Sequence, residues 1–282
     1  MPAPDDDTIL KVENLSVRFG KTAYPAVSDV SFDLRAERLG IVGESGSGKS
    51  TLGRAIMRLL PPAGRVTADK LDFAGAALLS AKEREMRRLR GNRMALIMQD
   101  PRYSLNPVVP IGKQVAESAR LHLSLDRAAA HQLAATMLER VRIGDVERTM
   151  KLYPHQISGG MGQRVMIAMM LLAKPKMVIA DEPTSALDVS VRGHVLKLLD
   201  DLVRENQAGL ILISHDIRMV ASFCQRIMVM YKGRVVETLS RLEHAQHPYT
   251  QGLIAAMPDL VTPVSRLKIL DRQAIDAAER MP

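Results

Sequence analysis

Residues 38–50 read RLGIVGESGSGKS. Arg38–Val42 is a short apolar run, the pattern of a strand buried in a parallel sheet. Gly43-Glu44-Ser45-Gly46-Ser47-Gly48-Lys49-Ser50 then fits G-x-x-x-x-G-K-[ST] in full. A chain of this length meets that pattern by chance on the order of once in 100. Beyond it, Leu52, Ala55, Ile56, Leu59 and Leu60 recur on one helical face, and Pro61-Pro62 predicts the stop. Strand, glycine-rich loop and helix in that order are the context of a phosphate-binding loop. Glycine lets the backbone curl until successive N–H groups across residues 43–51, through Thr51, point at phosphate oxygens. The helix start adds further donors and a partial positive charge. Lys49 brings a mobile cation for the β- and γ-phosphates, and Ser50 a hydroxyl for Mg²⁺. The loop implies nucleotide binding.

Further along, Met177–Ala180 (MVIA) ends at Asp181-Glu182, and Leu210–Ile213 (LILI) ends at Ser214-His215. With a phosphate loop in the same chain, Asp181 is read as lying near Mg²⁺. Glu182 is read as the group that orients or deprotonates a water attacking the γ-phosphate. Residues 8–19 and Asp29–Leu34 alternate as strands, and Ile227–Met230 with Arg234–Glu237 reads as a hairpin. Residues 113–142 predict one or two helices and Met161–Ala173 a third. Strands alternating with helices indicate an α/β sheet, with ligands beyond the carboxyl ends of its strands.

The 282 residues suit one large domain, or a domain with a subdomain and tail. Hydrophobic content of 46% excludes a wholly disordered chain. The net charge of +8 favours anionic partners without choosing among them. The densest basic run, Lys82–Arg93, is read as a solvated face. Aromatics at 3% make stacking platforms for single-stranded nucleic acid a poor expectation. The single cysteine, Cys224, cannot close an intrachain disulfide, which fits a reducing compartment. The longest apolar stretch, Val165–Ala173, falls short of the roughly 18–20 residues that span a bilayer. The acidic start, MPAPDDDT, is not a secretory signal. The seventeen methionines are scattered and read as core filler.

Ser158-Gly159-Gly160-Met161-Gly162-Gln163-Arg164, ahead of a helix and of Asp181-Glu182, resembles the signature motif of ABC ATPases. Gln99 in Met98-Gln99-Asp100-Pro101 matches that family's Q-loop, Asp188 in Ser185-Ala186-Leu187-Asp188 its D-loop, and His215 its switch histidine. The order holds from about residue 8 to 237. Ser104-Leu105-Asn106-Pro107, Tyr153-Pro154-His155 and His247-Pro248-Tyr249-Thr250 further resemble the ATPases of peptide and nickel importers.

The resemblance implies an α/β P-loop NTPase (RecA-like) ABC cassette over residues 8–240. It would carry an N-terminal antiparallel β subdomain, a helical signature subdomain at about 101–173, and a C-terminal extension at 241–282. It implies ATP and Mg²⁺ as cofactors, with Ser50, Gln99 and Asp181 toward the metal. Glu182, His215 and Gln99 would be catalytic, and Phe19, or alternatively Tyr24, would stack on adenine. Ser158, Gly159 and Gly160 would face the γ-phosphate on an opposing subunit, with Asp188 packed across that interface. Implied partners are two permease subunits, a second ATPase subunit (a copy or a paralogue) in a head-to-tail dimer, and indirectly an extracytoplasmic binding protein, with no nucleic acid. The place implied is the cytoplasmic face of the membrane, peripherally.

Three departures stand out. Gly162 occupies a position where peptide-type relatives commonly carry Arg, at roughly 1 kcal/mol relative to Ala inside a helix. Arg35-Ala36-Glu37-Arg38 lacks a glycine usual before the strand, which predicts a tighter turn. Residues 240–282 hold no cysteine, so an iron–sulfur cluster found in some relatives is not expected. The tail from Leu260 has near-helical apolar spacing and reads as a packing helix. The rival readings are a soluble ABC-type ATPase acting on nucleic acid or ribosomes, and an exporter subunit. A single cassette without zinc modules or coiled-coil insertions speaks against the first, and the peptide-type tail against the second.

Overall fold

The computed structural model describes residues 7–256 apart from 21, 23, 102–103 and 185–188. Asp188 and the tail helix expected from Leu260 therefore lie outside the described residues. In chain order the strands are β1 (Leu10–Phe19), β2 (Val27–Leu34), β3 (Arg38–Val42), β4 (Gly64–Thr67), β5 (Lys70–Phe73), β6 (Ala76–Ala77), β7 (Met94–Ile97), β8 (Met177–Asp181), β9 (Gly209–Ser214), β10 (Arg226–Tyr231) and β11 (Arg234–Leu239). The helices are α1 (Lys49–Ile56), α2 (Glu83–Leu89), α3 (Ile111–Leu123), α4 (Arg127–Arg140), α5 (Val146–Lys151), α6 (Gly159–Leu171), α7 (Val189–Glu205), α8 (Ile217–Phe223) and α9 (Pro248–Ala255). Among the described residues, no helix is long and apolar enough to cross a membrane. The described residues form two compact units. One takes 7–10, Asp33–Ala36 and Asp72–Ile211; the other takes Lys11–Phe32, Glu37–Leu71 and 212–256.

In the first unit, β7 and β8 run parallel, with Met94 opposite Met177 and Ile97 opposite Ala180. All five residues of β8 are buried, as a strand covered on both faces requires. The helices α3 to α6 close over one apolar cluster drawn from Leu105 through Leu172, with Ile111, Val115, Leu138 and Val165 fully buried. The segment expected to hold one or two helices holds two. Ser124 turns left-handed at φ 55, and Asp126 then caps α4 by accepting the Ala129 N–H. Likewise α6 starts at Gly159, two residues before the expected start, because the Ser158 hydroxyl caps it. The basic run is mostly exposed: in α2 only Met86 is buried.

In the second unit, β10 pairs parallel with β3 and antiparallel with β11. The predicted hairpin is there, its two-residue turn at Lys232-Gly233. β1 pairs antiparallel with β4, Phe19 opposite Gly64. The alternation along β1 slips one residue after Val12, so that Leu15 and Val17 are the next buried positions. Asn14 takes up the slip at φ 52, its side chain held by Asp69 at 2.6 Å. α1 ends earlier than the apolar spacing predicts. Arg58 turns left-handed at φ 51, the Leu59 N–H donates to Arg54 and the Arg58 N–H to Ala55. That paired closure ends the helix ahead of Pro61 and leaves Leu59 exposed. The connection from β2 to β3 is three residues, 35–37, and Glu37 is fastened by Arg226 at 2.6 Å.

Candidate functional site

The phosphate loop leaves β3 and is braced by the β10–β11 turn. The Gly233 N–H donates to the Ser47 carbonyl at 3.0 Å, and the Ser28 N–H to the Gly233 carbonyl at 2.8 Å. Two of its glycines are obligatory. A Cβ on Gly43 would stand 2.2 Å from the Met230 carbonyl oxygen, and one on Gly48 would stand 2.5 Å from that of Ala26. Both also hold positive φ, 152 and 102. Gly48 precedes α1 and offers no side chain to cap it, and the first turn carries no acid. The helix start is thus kept electropositive, as an incoming phosphate requires.

Lys49 is buried, and its ammonium is folded back on the loop. Nζ donates to the carbonyls of Gly43 and Glu44, both at 2.8 Å, and to Ser47 Oγ at 3.4 Å. The Ser47 N–H also donates to the Glu44 carbonyl. Ser45 and Gly46 are exposed at the rim, and Ser50 and Thr51 are half-buried in the first turn. Glu44 does not present its N–H as the sequence reading expected: the N–H donates to Tyr249 Oη at 2.8 Å. Nothing in the reading of the loop itself pointed to Tyr249. In the sequence, the HPYT stretch around it carries only a family likeness.

Phe19 and Tyr24 separate clearly. Phe19 is half-buried, its ring across Gly64, where a Cβ would come within 2.9 Å. Tyr24 is 85% exposed. His215 follows β9 and is exposed. It is presented by its neighbours: Ser214 Oγ accepts the Asp216 N–H at 3.1 Å, and Asp216 caps α8 through the Met219 N–H at 2.9 Å.

The first unit holds the carboxylates. Asp181 closes β8 and is 8% exposed. Glu182 follows at φ 48, a left-handed conformation uncommon for a residue with a side chain. Gln99 Nε2 donates to Glu182 Oε2 at 3.3 Å. The register explains this meeting. Ile97 lies opposite Ala180 in a parallel pair, so Gln99 and Glu182, each two residues past that pair, emerge at the same sheet edge. Spacing alone could not show that β7 and β8 are neighbours.

Ser158 caps α6, its Oγ accepting the Met161 N–H at 3.3 Å. Ser158 and Gly159 are exposed, and a Cβ on Gly159 would meet nothing within 4 Å. Gly162 is buried against the Q-loop, where a Cβ would come 3.4 Å from Pro101 Cγ. That is an ordinary contact distance, so the closeness of the signature helix to Pro101 does not itself require glycine here.

The ABC transporter family model matches residues 27–185. Over 268 residues the chain is 44% identical to the dipeptide transport ATP-binding protein DppD of Escherichia coli (strain K12), covering 93% of this chain and 82% of that one. It is 47% identical over 264 residues to the glutathione import ATP-binding protein GsiA of Pectobacterium atrosepticum, covering 89% of this chain and 42% of that longer protein. Among solved structures, the dimeric post-hydrolysis state of the ATP-binding cassette MJ0796 bound to ADP and Pi is 26% identical. It superposes with a TM-score of 0.70 over 82% of this chain and 98% of that one. The family match takes in the phosphate loop, the signature helix and the strand ending in Asp181 together, and the chain belongs to the ABC transporter family as an ATP-binding, ATP-hydrolysing cassette.

Proposed function

We propose that this chain is the ATPase subunit of an importer for peptides, nickel or metal chelates, working on separate permease subunits from the cytoplasmic face of the membrane. The observation that carries the reading is the 44% identity, over 93% of the chain, to a dipeptide transport ATP-binding protein. In this reading residues 8–240 are the ABC domain, about 101–173 its helical part, and 241–282 an importer-type extension. Two such subunits, identical or paralogous, pair head to tail. Each lends Ser158, Gly159 and Gly160 to the γ-phosphate held by the other, with Asp188 across the interface. An extracytoplasmic binding protein delivers the cargo, and nucleic acid has no part.

The chemistry follows from the residues. Phe19 offers a ring face to adenine. The curled backbone of residues 43–51 and the uncapped start of α1 hold the phosphates. Lys49 exchanges the carbonyls of Gly43 and Glu44 for phosphate oxygens, so its charge is desolvated once and used twice. Glu182 accepts the proton of a water whose oxygen forms the new bond to the γ-phosphorus. The bond to the β–γ bridging oxygen breaks, and ADP and phosphate leave. Gln99 steadies the Glu182 carboxylate, and His215 holds the γ-phosphate in line. The chemistry of the residues fits Mg²⁺: the Ser50 hydroxyl, the Gln99 amide oxygen and the Asp181 carboxylate are oxygen donors of the kind that ion takes together with waters, and they would hold it. When bound, it neutralises charge on the β- and γ-phosphate oxygens.

The test is to solubilise membranes containing the tagged full chain, purify it, and identify what comes with it. Two permeases and a binding protein that retains peptides or metal chelates are expected. Recovery with duplex nucleic acid or ribosomes instead, or with an exporter's membrane domain, defeats the reading.

A further inference from the structure

The segment His247-Pro248-Tyr249-Thr250 is not used by the mechanism, yet it is built with unusual care. Glu237 Oε1 accepts the N–H groups of Gln246 and His247, at 2.7 and 3.3 Å. His247 Nδ1 then accepts the Tyr249 N–H at 3.2 Å and caps α9, with Pro248 at the first helical position. Tyr249 and Thr250 are completely buried. The Tyr249 ring packs on Tyr231, centroids 4.4 Å apart, and its hydroxyl accepts the Glu44 N–H at 2.8 Å across 205 residues of sequence.

Glu44 is thereby held on both of its backbone groups. Tyr249 holds the N–H, while Lys49 Nζ and the Ser47 N–H hold the carbonyl. The Lys49 contact is the one that changes when a triphosphate draws the ammonium away. A loop wall fastened only through Lys49 would be free to follow it. A wall fastened also through Tyr249 keeps its shape, so less ordering is left for binding to supply.

We propose that Tyr249 is a positioning residue for ATP: its hydroxyl fixes the Glu44 peptide, and with it the wall of the phosphate loop that Lys49 leaves on nucleotide binding. The proposal rests on the reading of residues 43–50 as the ATP-binding loop. It makes the start of the C-terminal extension part of the nucleotide site, not a packing appendage. It also says why the hydroxyl matters and not the ring alone: Tyr249→Phe keeps the ring against Tyr231 and removes the acceptor for Glu44.

The experiment compares the full-length wild type and Tyr249→Phe by calorimetry with MgATP, by steady-state ATP hydrolysis, and by ¹⁵N-resolved amide exchange at Glu44. Loss of one such hydrogen bond weakens MgATP affinity by about three- to tenfold. The maximal turnover stays within about twofold, since no reacting atom is touched. The Glu44 amide, protected in the wild type, exchanges faster in the variant. Unchanged affinity in a folded variant overturns the proposal, as does a turnover loss with affinity intact. Should Tyr249→Phe not fold, the wild type alone decides: a protected Glu44 amide supports the proposal, and an unprotected one overturns it. A wild type that binds no MgATP defeats instead the reading of residues 43–50.

Discussion

The phosphate loop and the signature loop are both glycine-rich turns ahead of a helix, and they are constrained in opposite ways. At Gly43 a single added carbon would collide with the Met230 carbonyl at 2.2 Å. The loop's own lysine is buried in its carbonyls, and a tyrosine from the distant C-terminal segment holds its wall. At Gly159 the same carbon would touch nothing. Ser158 makes its cap to Met161 and otherwise faces outward. The chain's own packing therefore explains the glycine of the first loop and not that of the second. No described residue requires a bare backbone at Gly159, which supports the proposed reading of that loop as a surface for another subunit's nucleotide.

The largest effect belongs to chemistry, not to either loop. Glu182→Gln is expected to cut turnover by about 10²–10⁴-fold while MgATP binding stays near the wild-type value. Measured by steady-state hydrolysis beside calorimetry, equal turnover in the two proteins removes Glu182 from the role of base.

Next comes the contrast itself. Gly43→Ala should lower unfolding stability by about 3 kcal/mol, because the collision is with backbone that cannot move aside, and nucleotide binding should fall with it. Gly159→Ala should leave stability equal or raised by up to about 1 kcal/mol, as for any exposed helical glycine. Its ATP hydrolysis should nevertheless drop where two subunits must meet. Denaturant unfolding and ATPase assays on the pair settle the matter; a Gly159→Ala protein with full turnover would break the contrast.

The smallest effect lies away from both loops. Burial pushes the Cys224 thiol up to about 12, with nearby Arg38 pulling weakly the other way. Alkylation at pH 8 should be slower in the folded chain by on the order of 10³-fold than after denaturation. The stability that the buried neutral thiol contributes is complete below the unfolded thiol's pKa. It should be lost as pH rises from there toward 12. Rapid labelling of the folded chain would show that Cys224 is not enclosed.

Much of the site was legible because its chemistry is written in short contiguous segments. Residues 43–50 specify a curled loop through glycines at fixed spacing, and Asp181-Glu182 mark a strand end because an apolar run stops there. Local signals failed where a longer-range or conformational choice intervened. The apolar spacing carried α1 on to Leu60, whereas a left-handed Arg58 closes the helix at Ile56. The strands β4 to β6 are two to four residues long, too short for alternation to register. Phe19 and Tyr24 differ in exposure because Phe19 sits in a paired strand against Gly64, a difference that no local pattern records.

Sequence by itself determined which groups this protein has to offer, since loop curvature, an ammonium and strand-end carboxylates are properties of residue type and spacing. Tertiary structure decided which of them meet. Gln99 reaches Glu182 because β7 and β8 pair in parallel register, and Tyr249 reaches Glu44 because α9 is capped and buried beside Tyr231. Hydrogen bonds between residues 83 and 205 positions apart depend on which elements pack together, and no local pattern records that choice.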